Sequence, residues 1–311
     1  MLIDILILIA GLALLYFGSS ILVEGAASTA IMFAVRPVIV GLTIVSLATS
    51  APELLVSLVA AVKGSGGISL GNILGSNVIN IALVLGASAL IRPVAIKKQV
   101  VRIEIPYMIL ISFIFWVLCM DGDINRADGI ILISGLIIFL AYGLLTASDK
   151  SDNRTQANSR TLGKILKNIA YIAVGIVMLA FGANFVVKEA IEMAQVIGLS
   201  QTFIGISVVA LGTSLPELAT SVVAAARGES DISVGNVVGS NLFNICLVMG
   251  VVGLYNPMPV EAGLHWFEFP FMIFIGLVLA GIAYVYKGVG KKGGILLICL
   301  FLTYIVVSYL K

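Results

Sequence analysis

Apolar residues run through this chain in long continuous blocks separated by short polar stretches. An α-helix rises 1.5 Å per residue and a bilayer core is about 30 Å thick, so about 20 apolar residues make one span. The blocks are continuous rather than alternating, which predicts helices and excludes a transmembrane barrel. Ten spans are expected, over 2–23, 38–62, 68–91, 100–119, 129–147, 165–187, 203–226, 232–255, 268–286 and 294–310. The first block, MLIDILILIAGLALLYFG, has no basic leader and runs past signal-peptide length, so it reads as a retained span. The long polar stretch at 148–164, SDKSDNRTQANSRTLGK, leaves five spans on either side.

The two halves align without gaps at an offset of 164 residues. Phe17 and Gly18 fall on Phe181 and Gly182, Pro52 and Glu53 on Pro216 and Glu217, Ser76 on Ser240, Asn80 on Asn244. Over 48–80 against 212–244, 18 of 33 positions are identical, and these are the polar segments, so the repeat carries more than packing. Each half holds an odd number of spans, so the second copy crosses the membrane in the opposite sense. The expected fold is thus an all-α integral membrane protein of ten transmembrane helices. It comprises two inverted-topology five-helix repeats, 1–147 and 165–311, joined by a cytoplasmic linker at 148–164. Such repeats supply alternating access in secondary transporters, with the site near the midplane.

Composition agrees with this picture. Only 11% of residues are charged and 60% are hydrophobic, with a mean hydropathy of +1.15. A soluble domain carries about 25% charged residues. That excludes an ordinary soluble enzyme, a disordered chain and a nucleic-acid binder. The net charge of +2 is uninformative, but its distribution is not. With ten spans, fourteen Lys and Arg lie on the side of the central linker and four on the side of the termini. The positive-inside rule then puts the linker in the cytoplasm and both termini outside the cell membrane. Cys119, Cys246 and Cys299 sit in apolar runs at no metal-binding spacing and read as packing residues. The single histidine, His265, falls in a loop, so a histidine dyad inside the membrane is excluded, and no HExxH motif is present.

Two pairs of segments carry chemistry. The first copy reads SLATSAPELLVS (46–57) and GNILGSNVIN (71–80); the second reads ALGTSLPELATS (210–221) and GNVVGSNLFN (235–244). Glu53 and Glu217 lie in mid-span, where a carboxylate is costly unless it faces a cavity and meets a cation or a proton. Each follows a proline, which removes a backbone donor and predicts a helix break near Pro52 and Pro216. Thr49 and Thr213 precede the glutamates by four residues, placing a hydroxyl and a carboxylate on one face; Ser50 and Ser214 add oxygens. In the partner spans, Asn72, Ser76 and Asn80 share a face, as do Asn236, Ser240 and Asn244. The pairs Gly71/Gly75 and Gly235/Gly239 permit close helix approach. The donor set is all oxygen, which suits hard cations such as Ca²⁺ and Na⁺ and disfavours zinc and copper. Two glutamates balance one Ca²⁺, and the same oxygens can hold Na⁺ in competition.

At these residues the chain resembles the calcium/cation antiporter superfamily, specifically the sodium/calcium exchangers. TSAPEL with GNILGSN, and GTSLPEL with GNVVGSN, are similar to that family's two alpha repeats. The resemblance spans essentially the whole chain. It implies that Glu53 and Glu217 are shared calcium and sodium ligands. It further implies that Thr49, Ser50, Thr213 and Ser214 supply hydroxyl or carbonyl oxygens, that Ser76 and Ser240 line flanking sodium sites, that Ser46 and Ala210 contribute backbone carbonyls, and that Asn80 and Asn244 occupy the middle site. In the family fold the first and sixth spans slide as a gate across a core of signature helices. Animal-type members carry aspartate where this chain has Asn244, so one acid fewer is available here and the sodium number per calcium stays open. The resemblance implies a sodium/calcium antiporter, the alternative being proton- or potassium-coupled exchange of calcium or another divalent cation. No cofactor is expected, the ions being cargo; the partners are calcium, sodium and the lipid bilayer, with no nucleic acid and no obligate protein partner.

Overall fold

The computed structural model describes residues 2–146, 161–196 and 210–310. The chain is an all-helical membrane protein. Its helices are α1 (Leu2–Phe33), α2 (Pro37–Thr49), α3 (Ala51–Val62), α4 (Gly66–Ile91), α5 (Val100–Asp121) and α6 (Arg126–Leu145) in the first half. The second half holds α7 (Leu162–Val196), α8 (Ala210–Thr213), α9 (Leu215–Arg227), α10 (Ser230–Tyr255), α11 (Glu268–Tyr286) and α12 (Lys291–Leu310). Among the described residues, eight helices are long and apolar enough to cross a membrane, and the α2–α3 pair, bent by 44°, makes a ninth. The expected seventh span, 203–226, lies partly outside the described residues, as does most of the 148–164 linker.

Several boundaries differ from the hydropathy reading for a common reason. The first span was expected to end at residue 23, and the sixth at 187; α1 continues to Phe33 and α7 to Val196. A lone acid such as Glu24 closes an apolar run without breaking a helix, and α1 stops only where Ala34 adopts φ 52° just before Arg36-Pro37. α6 starts at a capping box, Asn125 accepting from the Ala127 and Asp128 N–H groups and Asp128 from the Asn125 N–H. The acidic loop DGDINRADG thus contributes to a helix start.

α4 and α10 form the centre. Their membrane windows are 83% buried against 17% for α12, although they are the richest in Gly, Ser and Asn. Small residues explain this: they let backbones meet. A Cβ on Gly235 would lie 2.6 Å from the Val38 carbonyl oxygen and 3.0 Å from the Gly41 Cα, so α10 touches α2 main chain to main chain. α1 and α7 form a separate glycine-lined pair, Gly175 against Gly18 and Gly182 against Gly11.

Elements recur at the 164-residue offset. α3 starts at Ala51 and α9 at Leu215; α4 starts at Gly66 and α10 at Ser230. Two short antiparallel clasps join the halves. β1 (Val94–Ala95) pairs with β4 (Gly288–Val289), and β2 (Asp123–Ile124) with β3 (Met258–Pro259). β1 and β3 each follow a proline, Pro93 and Pro257, which holds the chain extended.

Candidate functional site

The site forms where the two halves break the same way. α2 ends at Thr49, Ser50 sits at φ −84°, ψ 5°, and α3 resumes with Pro52 at its second position. α8 ends at Thr213, Ser214 sits at φ −85°, ψ 4°, and α9 resumes with Pro216. Each proline lacks the N–H that would reach back four residues, so the Ala48 and Gly212 carbonyls lose a helical donor. The carbonyls of Ser46 and Ala210 keep theirs, accepting from the Ser50 N–H at 2.9 Å and the Ser214 N–H at 3.3 Å. Each also lies within reach of the threonine hydroxyl of its own break, Ser46 O at 3.4 Å from Thr49 Oγ1 and Ala210 O at 3.1 Å from Thr213 Oγ1.

Glu53 and Glu217, in the first turns of α3 and α9, are fully buried. The halves hold each other's carboxylate. Ser50 Oγ donates to Glu217 Oε1 at 3.1 Å, and Ser214 Oγ donates to Glu53 Oε1 at 3.4 Å. The threonines cross over likewise: Thr49 Oγ1 donates to Asn236 Oδ1 at 3.1 Å, and Thr213 Oγ1 to Asn72 Oδ1 at 3.2 Å. Thr49 Oγ1 also meets Ser240 Oγ at 3.3 Å. Asn72 and Asn236 are fixed in turn by donating to Ser57 Oγ at 3.0 Å and Ser221 Oγ at 2.9 Å. Ser46 Oγ donates to the Gly41 carbonyl at 2.7 Å and to that of Asn236 at 3.1 Å, joining α2 to α10.

The twelve residues singled out as ion ligands in the sequence are all buried, and hydrogen bonds join Ser46, Thr49, Ser50, Glu53, Thr213, Ser214, Glu217 and Ser240 to one another or to shared partners. Asn72, Asn236, Ser57 and Ser221 position the threonines, a role that sequence spacing does not reveal. Asn77 is a further participant, accepting from Asn244 Nδ2 at 3.4 Å.

The remaining polar atoms are unusual. Among the described residues, Glu53 Oε2, Glu217 Oε2, Ser76 Oγ, Asn80 Oδ1 and Asn244 Oδ1 are buried without a hydrogen-bond partner in the protein. Buried polar atoms are ordinarily paired, and a bare carboxylate in such surroundings is costly. Five such oxygens, two of them carboxylate, suit a hard cation. Among the described residues no three His, Cys, Asp or Glu side chains come together, so the donors besides the two glutamates are neutral. A cavity of about 350 Å³ borders the region, lined by Ala48 and Pro52 of one break, Gly212 and Pro216 of the other, and Leu179, Ala180, Ala183 and Asn184 of α7.

Broken helices of two halves that exchange carboxylate contacts inside a membrane bundle define a cation transporter. The chain belongs to the sodium/calcium exchanger protein family, whose profile matches residues 3–145 and 167–310. It is accordingly a calcium/cation antiporter and not an enzyme. It is 32% identical to the inner membrane protein YrbG of Escherichia coli, over 90% of this chain and 88% of that one. It is 29% identical to the sodium/calcium exchanger MaX1 of Methanosarcina acetivorans, over 99% of both chains. Its structure superposes on that of the sodium-calcium exchanger NCX_Mj with a TM-score of 0.86 at 32% identity, covering 98% of this chain and 99% of the other.

Proposed function

We propose that this chain exchanges sodium for calcium across the cytoplasmic membrane by alternating access, at a midplane site centred on Glu53 and Glu217. One observation carries the reading: each glutamate has one oxygen held by a hydroxyl of the opposite half and one oxygen left without a protein partner. Thr49, Ser50, Thr213, Ser214, Ser76, Ser240, Asn80 and Asn244 complete the ligand set, with the Ser46 and Ala210 carbonyls at its edge. The chain works as two inverted five-helix units, 1–147 and 165–311, joined by a cytoplasmic linker at 148–164, with both termini outside. The recurrence of element starts at a fixed offset and the reciprocal hydrogen bonds support a two-fold relation between the units. Ca²⁺ and Na⁺ compete for the same oxygens, so binding of one displaces the other. α1 and α7, paired along a glycine-lined contact, slide as a gate, and the cavity beside α7 is the route to the site.

The test is radioactive calcium uptake into sodium-loaded proteoliposomes diluted into sodium-free buffer. Uptake that needs internal sodium, persists without potassium and is insensitive to a pH gradient is the expected result. Uptake driven by a pH gradient or requiring potassium would move the coupling to those ions.

The positioning asparagines provide a second expected outcome. Asn236→Ala removes the acceptor for Thr49 and the donor to Ser221, contacts worth about 1–3 kcal/mol when buried. The half-saturating calcium concentration rises by roughly tenfold while the maximal rate changes less. An unchanged calcium dependence would remove Asn236 from the site.

A further inference from the structure

The β1–β4 clasp carries a charge pattern that ion exchange does not use. Five cations, Lys98, Arg102, Lys287, Lys291 and Lys292, are exposed around it. Among the described residues none of the five has an acidic partner. The neighbouring Lys97 differs, being held by Asp231 at 2.6 Å. Two cavities flank the clasp, of about 720 Å³ and 290 Å³. Lys287 lines both, with Lys291 and Lys292 on the larger and Lys98 and Arg102 on the smaller. Besides the cations, Val94, Ile282 and Leu296 give the larger cavity an apolar wall. Tyr284 and Tyr286, each 76% exposed, stand at the end of α11 beside these cavities, as aromatic residues do at headgroup level. The β2–β3 clasp differs in sign, with Asp121, Asp123 and Glu261 exposed about it.

We propose that the β1–β4 clasp is a binding site for the phosphodiester headgroup of an anionic phospholipid. Clustered cations attract such headgroups, and basic pockets between transmembrane helices bind them. The apolar wall distinguishes a lipid, whose acyl chains continue into the bilayer, from a free phosphate ion. The site lies at the end of α11 and the start of α12, so it ties a lipid to the ends of two helices and to the strand that joins the halves. Its assignment to the cytoplasmic leaflet rests on the orientation proposed above; its existence does not.

Native mass spectrometry of the full chain in detergent, offered equal amounts of phosphatidylglycerol and phosphatidylcholine with the same acyl chains, tests this. The wild-type protein retains the anionic lipid in roughly tenfold preference. The combined variant Lys98→Gln, Arg102→Gln, Lys287→Gln, Lys291→Gln and Lys292→Gln brings the two lipids to near parity. Lys63→Gln with Arg126→Gln, remote from this clasp, keeps the preference. If the combined variant does not fold, as read by its melting curve, Lys291→Gln with Lys292→Gln takes its place and reduces the preference severalfold. A wild-type protein without preference, or a preference that survives the substitutions, overturns the proposal. Displacement of phosphatidylglycerol by millimolar inorganic phosphate also overturns it, in favour of a free-anion site.

Discussion

Glu53→Gln and Glu217→Gln are each expected to reduce sodium-driven calcium uptake by roughly 30-fold or more while leaving a folded protein. Removing one member of a buried charge pair costs about 2–5 kcal/mol, and each 1.4 kcal/mol is tenfold. Here the other member of the pair is the calcium ion. Glutamine matches glutamate in size and shape, and its amide oxygen still accepts the Ser50 or Ser214 hydroxyl that now holds the carboxylate. In the absence of cations the substitution removes a buried charge, so the melting temperature of the ion-free protein stays level or rises. Calcium should raise the melting temperature of the wild-type chain and leave that of either variant nearly unchanged. The two readouts separate loss of a ligand from loss of the fold. Robust exchange by either variant would overturn the assignment of the site.

The second large effect is on stability. Gly235→Ala should lower the melting temperature sharply and reduce accumulation in the membrane, because the new methyl meets backbone. It would lie 2.6 Å from the Val38 carbonyl oxygen and 3.0 Å from both the Gly41 Cα and the Leu42 nitrogen. A flexible side chain could turn aside, but α2 can yield only by moving as a whole. Overpacking of this kind costs about 1–3 kcal/mol and sometimes more. Gly281→Ala is the control, since a Cβ there has no heavy atom within 4 Å apart from its own helix and chain neighbours. Equal melting temperatures for the two variants would show that α2 and α10 are not in close contact.

Most of the helical content and the polar segments were readable in the sequence for one physical reason. Lipid tolerates few polar atoms, so an unbroken apolar run marks a helix and an interruption such as TSAPEL or GTSLPEL marks a purpose. The same uniformity hides other features. The backbone switches to π-helical hydrogen bonding at Gly41–Val45, Asn80–Val84, Val100–Glu104 and Phe243–Met249. Hydropathy averages over a whole span and does not register which carbonyl an N–H reaches, so it carries no trace of the switch. The clasps are two residues long, too short for any alternation to register. The tethering of Thr213 to Asn72 and of Thr49 to Asn236 spans 141 and 187 residues, and chain spacing carries no information over that range. Both π-helical stretches in α4 and α10 begin at or just before the asparagines of the site. A π-turn shifts the side-chain face by one residue, and such turns are frequent at functional positions.

The crossed hydrogen bonds also bear on how such a chain can vary over time. Ser50 serves the glutamate of the other half, and Ser214 returns the service. A change in one copy is therefore felt first at the carboxylate of its twin, so neither copy is free to drift on its own. Within this chain, resemblance between the halves has survived in the stretches that reach across, with 18 of 33 positions matching over 48–80 and 212–244. There the two segments behave as a single inherited unit written twice, and a lasting departure in one calls for an answering change in its counterpart.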